Sequence, residues 1–152
     1  MKIRIDDLKG PEVAQLLHEH HADMLRHSPP ESVHALDLSA LRAADVTFWC
    51  AWDGDQLAGC GALKQLSTTQ GEIKSMRTSE QHLRKGVASE ILSFILEEAT
   101  NRFYSTIFLE TGALQAFEPA QELYKRFGFS YCDAFADYTE DPYSVFMEKV
   151  LR

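Results

Sequence analysis

GEIKSMRTSEQHLRKGVAS, residues 71–89, runs as a strand, a short loop and the opening of a helix. The strand covers Gly71 to Thr78. The helix covers Leu83 to Phe103, where Val87, Ile91, Ile95 and Ala99 are spaced by four with Ala88, Leu92 and Leu96 beside them. The first turn of any helix leaves backbone N–H groups without intrahelical partners, and the helix dipole adds partial positive charge there. Gly86 and Ala88 bring no bulk to this turn, and Arg84 and Lys85 add full charges. Such a terminus suits a phosphate. Neither the P-loop pattern nor the dinucleotide glycine pattern is present. By itself the segment also reads as a capped surface helix with solvated basic residues.

On the N-terminal side, Lys2 to Leu8 alternates as a half-buried strand. Gly10-Pro11 opens a helix that runs to His27, with Val13, Leu16, Leu17, His20, Met24 and Leu25 at helical spacing. Ser28 to Ser32 breaks it, and a second helix is expected from Ser32 to Ala44 on Val33, Leu36, Leu38 and Leu41. Strands Val46–Trp52 and Gln56–Lys64 flank the hairpin signal Asp53-Gly54. On the C-terminal side, Thr106–Thr111 is a short apolar strand, and Glu118–Phe127 is a helix stopped by Gly128. Strands Tyr131–Tyr138 and Ser144–Leu151 close the chain around an Asp141-Pro142 turn. Strands alternating with helices in this order predict one mixed α/β (α+β) domain over residues 1–152.

Composition supports a packed globule: 45% hydrophobic and 25% charged residues. The net charge of -8 argues against nucleic acid and anionic membranes as partners. That charge is uneven. Lys74, Arg77, Arg84 and Lys85 face a single acid, Glu80, between residues 74 and 85, whereas residues 128–148 hold Asp133, Asp137, Glu140, Asp141 and Glu148 with no Lys or Arg. A cationic acceptor is therefore favoured, and an anionic ligand is not excluded. No apolar run approaches the ~20 residues that span a bilayer, and the N-terminus lacks the apolar core of a signal peptide. The expectation is a cytoplasmic protein. Cys50, Cys60 and Cys132 are scattered without a CxxC pair and read as reduced core residues. His18-Glu19-His20-His21 is not HExxH, since Ala22 follows, and reads as a solvated helix face with no metal. Trp49 and Trp52, three apart, cannot share a strand face.

The turn at Leu83–Ala88 resembles the cofactor motif of the GNAT superfamily of N-acetyltransferases: Gln or Arg, two free positions, Gly, one free position, then Gly or Ala. Gly86 and Ala88 fit, and Leu83 stands where Gln or Arg is usual. Leu123-Tyr-Lys-Arg-Phe-Gly-Phe129 resembles the family's LYxxxGF signature, and Phe117 stands where many members carry Asn. The likeness extends from about Lys2 to Leu151 and is nearest to a small bacterial subgroup. It implies a central mixed sheet of about seven strands flanked by about four helices. Strands Gly71–Thr78 and Thr106–Thr111 would be parallel neighbours that splay apart.

The resemblance also implies an activity: transfer of acetyl from acetyl-CoA, as cosubstrate, to a primary amine of a small molecule or protein in a direct ternary complex. Pantetheine would pair with Met76, Arg77 and Thr78. The pyrophosphate would sit on Leu83, Arg84, Lys85, Gly86, Val87, Ala88 and Ser89. Tyr124 would lie near the sulfur as general acid, or serve only as a packed core ring. Glu72 would act as general base, with Glu110 or a water chain as rivals and a plain pairing with Lys74 as the alternative. Glu31, His34 and Glu110 would face the acceptor, although Ser32 could instead simply start a helix. Arg77 would reach the acceptor or pair with Glu80. Homodimers are common in the family. The alternative reading is a non-catalytic acyl-CoA-binding or regulatory domain.

Overall fold

The computed structural model describes residues 1–34 and 37–152. Seven strands form one sheet: β1 (Lys2–Ile5), β2 (Val46–Asp53), β3 (Gln56–Gln65), β4 (Gln70–Thr78), β5 (Thr106–Gly112), β6 (Ser130–Cys132) and β7 (Ser144–Val150). Their spatial order is β1-β2-β3-β4-β5-β7-β6, and among the described residues only β4 and β5 pair in parallel. The helices are α1 (Pro11–His27), α2 (Leu38–Leu41), α3 (Val87–Asn101) and α4 (Glu118–Arg126). α3 is the crossover that a parallel pair requires. The mixed sheet, its helices and its single parallel pair match the architecture expected from the sequence. No helix among the described residues is long and apolar enough to cross a membrane.

Strand alternation sends side chains to two cores. On one face Ile73, Ile107, Leu109 and Met147 pack against Val87, Ile91, Leu92, Ile95 and Ala99 of α3 and Leu123 and Tyr124 of α4. On the other, Phe48, Cys50, Cys60 and Ala62 meet Leu8, Val13, Leu16 and Leu41. Each large aliphatic side chain taken from water contributes roughly 1.5–3 kcal/mol. α3 lies unusually near β3 because two glycines make room. A Cβ on Gly59 would fall 2.8 Å from the Arg77 carbonyl oxygen and 2.9 Å from Val87 Cγ1, and one on Gly61 2.9 Å from Ile91 Cγ2. Cys50 and Cys60 are buried free thiols, as expected, and burial pushes the Cys60 thiol up to about 12. Trp49 is buried while Trp52 is only partly so, with a register shift of β2 between Ala51 and Trp52.

Three expectations fail. The helix expected over Leu83–Phe103 begins only at Val87, after a separate 3-10 turn at Glu80–His82, because Gly86 takes a left-handed φ as its N-cap, and it ends at Asn101. The helix expected over Ser32–Ala44 is a 3-10 turn at Pro30–Ser32 and, separately, the single turn of α2. Ser32 does not cap a helix because its hydroxyl donates to Asp141 Oδ2 at 2.6 Å, while Asp37 starts α2 by accepting from Ala40 N at 2.8 Å. Leu36, placed on that helix from sequence, lies outside the described residues. The strand expected over Tyr131–Tyr138 ends at Cys132. Beyond it the chain folds over the sheet, where Phe135 stacks on Phe108 with ring centres 4.9 Å apart and meets Phe146 edge-on.

The parallel pair positions the site. β4 and β5 pair from Gln70↔Thr106 only to Ile73↔Leu109. Beyond that point β4 stays with β3 out to Thr78, and β5 stays with β7 out to Gly112. The two strands therefore part. A bulge turns β4 aside: Cys60 pairs with Arg77 and Ala62 with Lys74, so Ser75 and Met76 share Gly61 as their partner. Ser75 adopts φ 56, and the Cys60 thiol donates to its carbonyl oxygen at 3.3 Å.

Candidate active site

At one end of the gap lies the start of α3. Gly86 is its N-cap at φ 80, a left-handed conformation that a side chain resists, and a Cβ there would meet nothing within 4 Å. No side chain caps this terminus, and the N–H groups of Val87, Ala88 and Ser89 find no partner among the described residues. Arg84 and Lys85 are exposed beside it and form no ion pair among the described residues. His82, buried just before the loop, contacts Ser79 Oγ through Nδ1 at 2.8 Å and Asp53 Oδ2 through Nε2 at 3.3 Å. It fastens the loop to the β2–β3 turn.

A cleft of about 450 Å³ leads inward from there between Met76, Arg77 and Thr78 of β4 and Pro119, Ala120, Leu123 and Tyr124 of α4. Leu83 and Ala88 form its outer wall, and His20, Asp23, Met24 and His27, one stripe of α1, form its roof. Arg77 pairs with Asp23 of this roof rather than with Glu80. Burial opposes the Asp23 charge, but the Arg77 hydrogen bond and charge hold its carboxyl below the usual range.

The cleft continues into a pocket of about 130 Å³ whose polar lining includes Glu72, Lys74, Glu110, Ser32 and His34. Glu72 is buried, and its Oε2 accepts from Tyr138 OH at 2.6 Å and from Lys74 Nζ at 3.1 Å. Lys74 Nζ also donates to the Tyr138 oxygen at 2.7 Å. Glu110 accepts from Ser144 Oγ at 2.8 Å, and burial raises it to about 6 against that hydrogen bond and the charge of Lys74. Burial, then Lys74, holds the His34 imidazole below its usual value, and its ring meets Tyr138 edge-on at 5.0 Å. Tyr124 lines both cavities; burial, then the Glu110 charge, raises its phenol, so it keeps its proton.

The structure thus gathers Glu72, Glu110, His34 and Tyr124 in one pocket, with Met76, Arg77, Thr78, Leu83 and Ala88 along the adjoining cleft. Glu31 is exposed and lines neither cavity. Two residues of the site lie outside the expectations. Tyr138 reaches Glu72 from 66 residues away, a contact no local pattern announces. His20 enters from the roof, a correction to the solvated-face reading of residues 18–21: His18 and His21 are exposed, but His20 is not. Its place on the apolar spacing of α1 was the available signal.

Residues 13–129 match the family model of the acetyltransferase (GNAT) family. Over 151 residues the chain is 60% identical to an uncharacterized N-acetyltransferase, YsnE, of Bacillus subtilis, covering 99% of this chain and 100% of that protein. A solved structure described as an acyl-CoA N-acyltransferase from Klebsiella pneumoniae superposes with a TM-score of 0.84 at 30% identity, over 99% of this chain and 97% of the other. An acetyltransferase from Bacillus subtilis solved with CoA superposes with a TM-score of 0.72 at 21% identity over 99% of each chain, a likeness of fold.

Proposed function

The chain belongs to the acetyltransferase (GNAT) family, and we propose that it moves the acetyl group of acetyl-CoA directly to a primary amine in the acidic pocket. One observation carries this reading. β4 and β5 part after Ile73 and Leu109, leaving a gap with a phosphate-suited helix start at one end and carboxylates at the other.

Bound acetyl-CoA supplies an acetyl thioester. The N–H groups of Val87, Ala88 and Ser89, with Arg84 and Lys85 alongside and Gly86 leaving the approach open, hold the pyrophosphate. From Lys74 to Thr78 the β4 edge has no strand partner on the β5 side, so Met76, Arg77 and Thr78 offer backbone groups to the amides of pantetheine. A backbone N–H near Met76 or Arg77 polarises the thioester carbonyl, an effect worth roughly 2.7–4 kcal/mol in other enzymes. Tyr124 donates its proton to the departing sulfur. In the pocket, Glu110 draws in the ammonium form of the acceptor and takes its first proton, since a carboxylate near 6 is ionised at neutral pH. Glu72 is committed to Lys74 and Tyr138 and fixes the pocket floor. No cysteine lines either cavity, which favours direct transfer over a cysteine-bound intermediate.

The test is calorimetry with acetyl-CoA, together with thiol release in the presence of amines ranging from methylamine to a lysine-containing peptide. Binding and amine-dependent thiol release are expected. Gly86→Ala, which carries only the backbone strain, should keep most affinity. Gly86→Glu should lose about 100-fold, because a carboxylate then faces the pyrophosphate. Equal thermal protection by ATP would contradict the CoA reading. Binding without thiol release for any amine would return the non-catalytic domain.

A further inference from the structure

The cleft and the pocket share a wall of six residues: His20, Met24, Met76, Phe117, Ala120 and Tyr124. If the thioester arrives through one cavity and the amine through the other, the reacting atoms meet at this wall. Four of the six are apolar or offer only a weakly accepting sulfur. The polar pair is His20 and Tyr124. Tyr124, its proton secured by burial, is a donor. The transfer also needs an acceptor for the proton that nitrogen loses, and on this wall only His20 has a nitrogen lone pair.

The surroundings of His20 leave that imidazole free. Its Nδ1 is shielded from solvent and has no hydrogen-bond partner among the described residues, a condition that buried polar atoms rarely show. Asp23, one turn along α1, does not serve it, because its carboxylate is occupied by Arg77 and Arg26. Burial first, then Arg77, lowers His20 to about 4; Asp23 pulls the other way and His21 adds slightly. The ring is therefore neutral wherever an amine reacts.

We propose that His20 is a catalytic residue of the transfer, its imidazole taking the proton released by the acceptor nitrogen as that nitrogen bonds to the acetyl carbon. The proposal rests on the acetyl-transfer reading and deepens it. Glu110 has already removed the proton of the ammonium form. The nitrogen–carbon bond then forms, the carbon–sulfur bond breaks, His20 receives the nitrogen's proton and the sulfur takes the Tyr124 proton. The imidazolium and Glu110 each give a proton to solvent and the phenolate regains one, so the net change is ammonium plus thioester to amide, thiol and one released proton.

Methylamine, small enough for any acceptor pocket, is the probe. His20→Gln is expected to bind acetyl-CoA within about twofold of the parent and to lose about 100-fold in kcat/KM for methylamine. His20→Ala should lose as much, and added imidazole should restore it by about tenfold or more, a rescue that a purely structural histidine would not show. Retention of more than about a third of kcat/KM in His20→Gln, or a loss tracking a lowered melting temperature with no imidazole rescue, overturns the role of His20. Acetyl-CoA binding by the parent chain without thiol release from any amine, from methylamine to a lysine-containing peptide, overturns the acetyl-transfer reading itself, and this role with it.

Discussion

Glu110 and Glu72 share one face of the sheet, yet their environments differ. Glu72 has a buried ammonium and a phenol on its oxygen; Glu110 has one serine hydroxyl. Burial therefore dominates at Glu110 and lifts it from 4.5 to about 6. A carboxyl raised by folding favours the folded state below its unfolded value, and that contribution is lost as pH rises through the folded value. Glu110→Gln keeps an acceptor for Ser144 and removes the charge. Its melting temperature should exceed the parent's at pH 8 by a few degrees, about 1–2 kcal/mol, and match it at pH 4. An equal shift at both pH values would show that the charge is not the cause. In the parent chain, kcat/KM should rise with pH through about 6, as the carboxylate that accepts the ammonium proton forms.

The cleft proposed to hold acetyl-CoA depends on how β3, β4 and α3 fit together. The bulge at Ser75–Met76 turns β4 from β5, and the glycines of β3 let α3 approach closely enough to set Gly86 at the mouth of the gap. Gly59→Ala would push against the Arg77 carbonyl and Val87 together. It should cost about 1–3 kcal/mol and weaken acetyl-CoA binding as α3 is displaced. Undiminished affinity and melting temperature would mean that the glycine is not needed for the approach. These elements also divide what the sequence discloses from what it conceals. The spacing of Val87, Ile91 and Ile95 announces α3, and the loop before it announces the uncapped helix start proposed to take the pyrophosphate, because both signals are local. The stretch from Ser32 to Ala44 misleads because its apolar spacing serves two different places: Val33 lines the acceptor pocket while Leu41 enters the second core. Asp141 takes the Ser32 hydroxyl that a helix would have used. Tyr138 reaches the site only through a tertiary contact, and His20, whose place on the apolar spacing of α1 marks it as inward-facing, is brought to the cavities only by the packing of α1.

Across the whole molecule, the charge of -8 conceals a division of labour. The cations at Arg84 and Lys85 stand at the outer end of the gap, and Glu110 and Glu72 at the inner end, with Asp141 bonded to Ser32 of the pocket wall. On the proposed function, a polyanionic donor and a cationic amine would be drawn to opposite ends of one channel, and their reactive groups would meet at the wall bearing His20 and Tyr124. The sheet holds both ends in place: β3 keeps β4 on one side and β7 keeps β5 on the other, so the gap is built into the strand order. A crystal structure of the chain with CoA tests this arrangement directly. The account predicts the pyrophosphate on the N–H groups of Val87, Ala88 and Ser89, pantetheine between β4 and β5, and the sulfur beside Tyr124 and His20. Phosphates bound elsewhere, or a gap left without pantetheine, would contradict it.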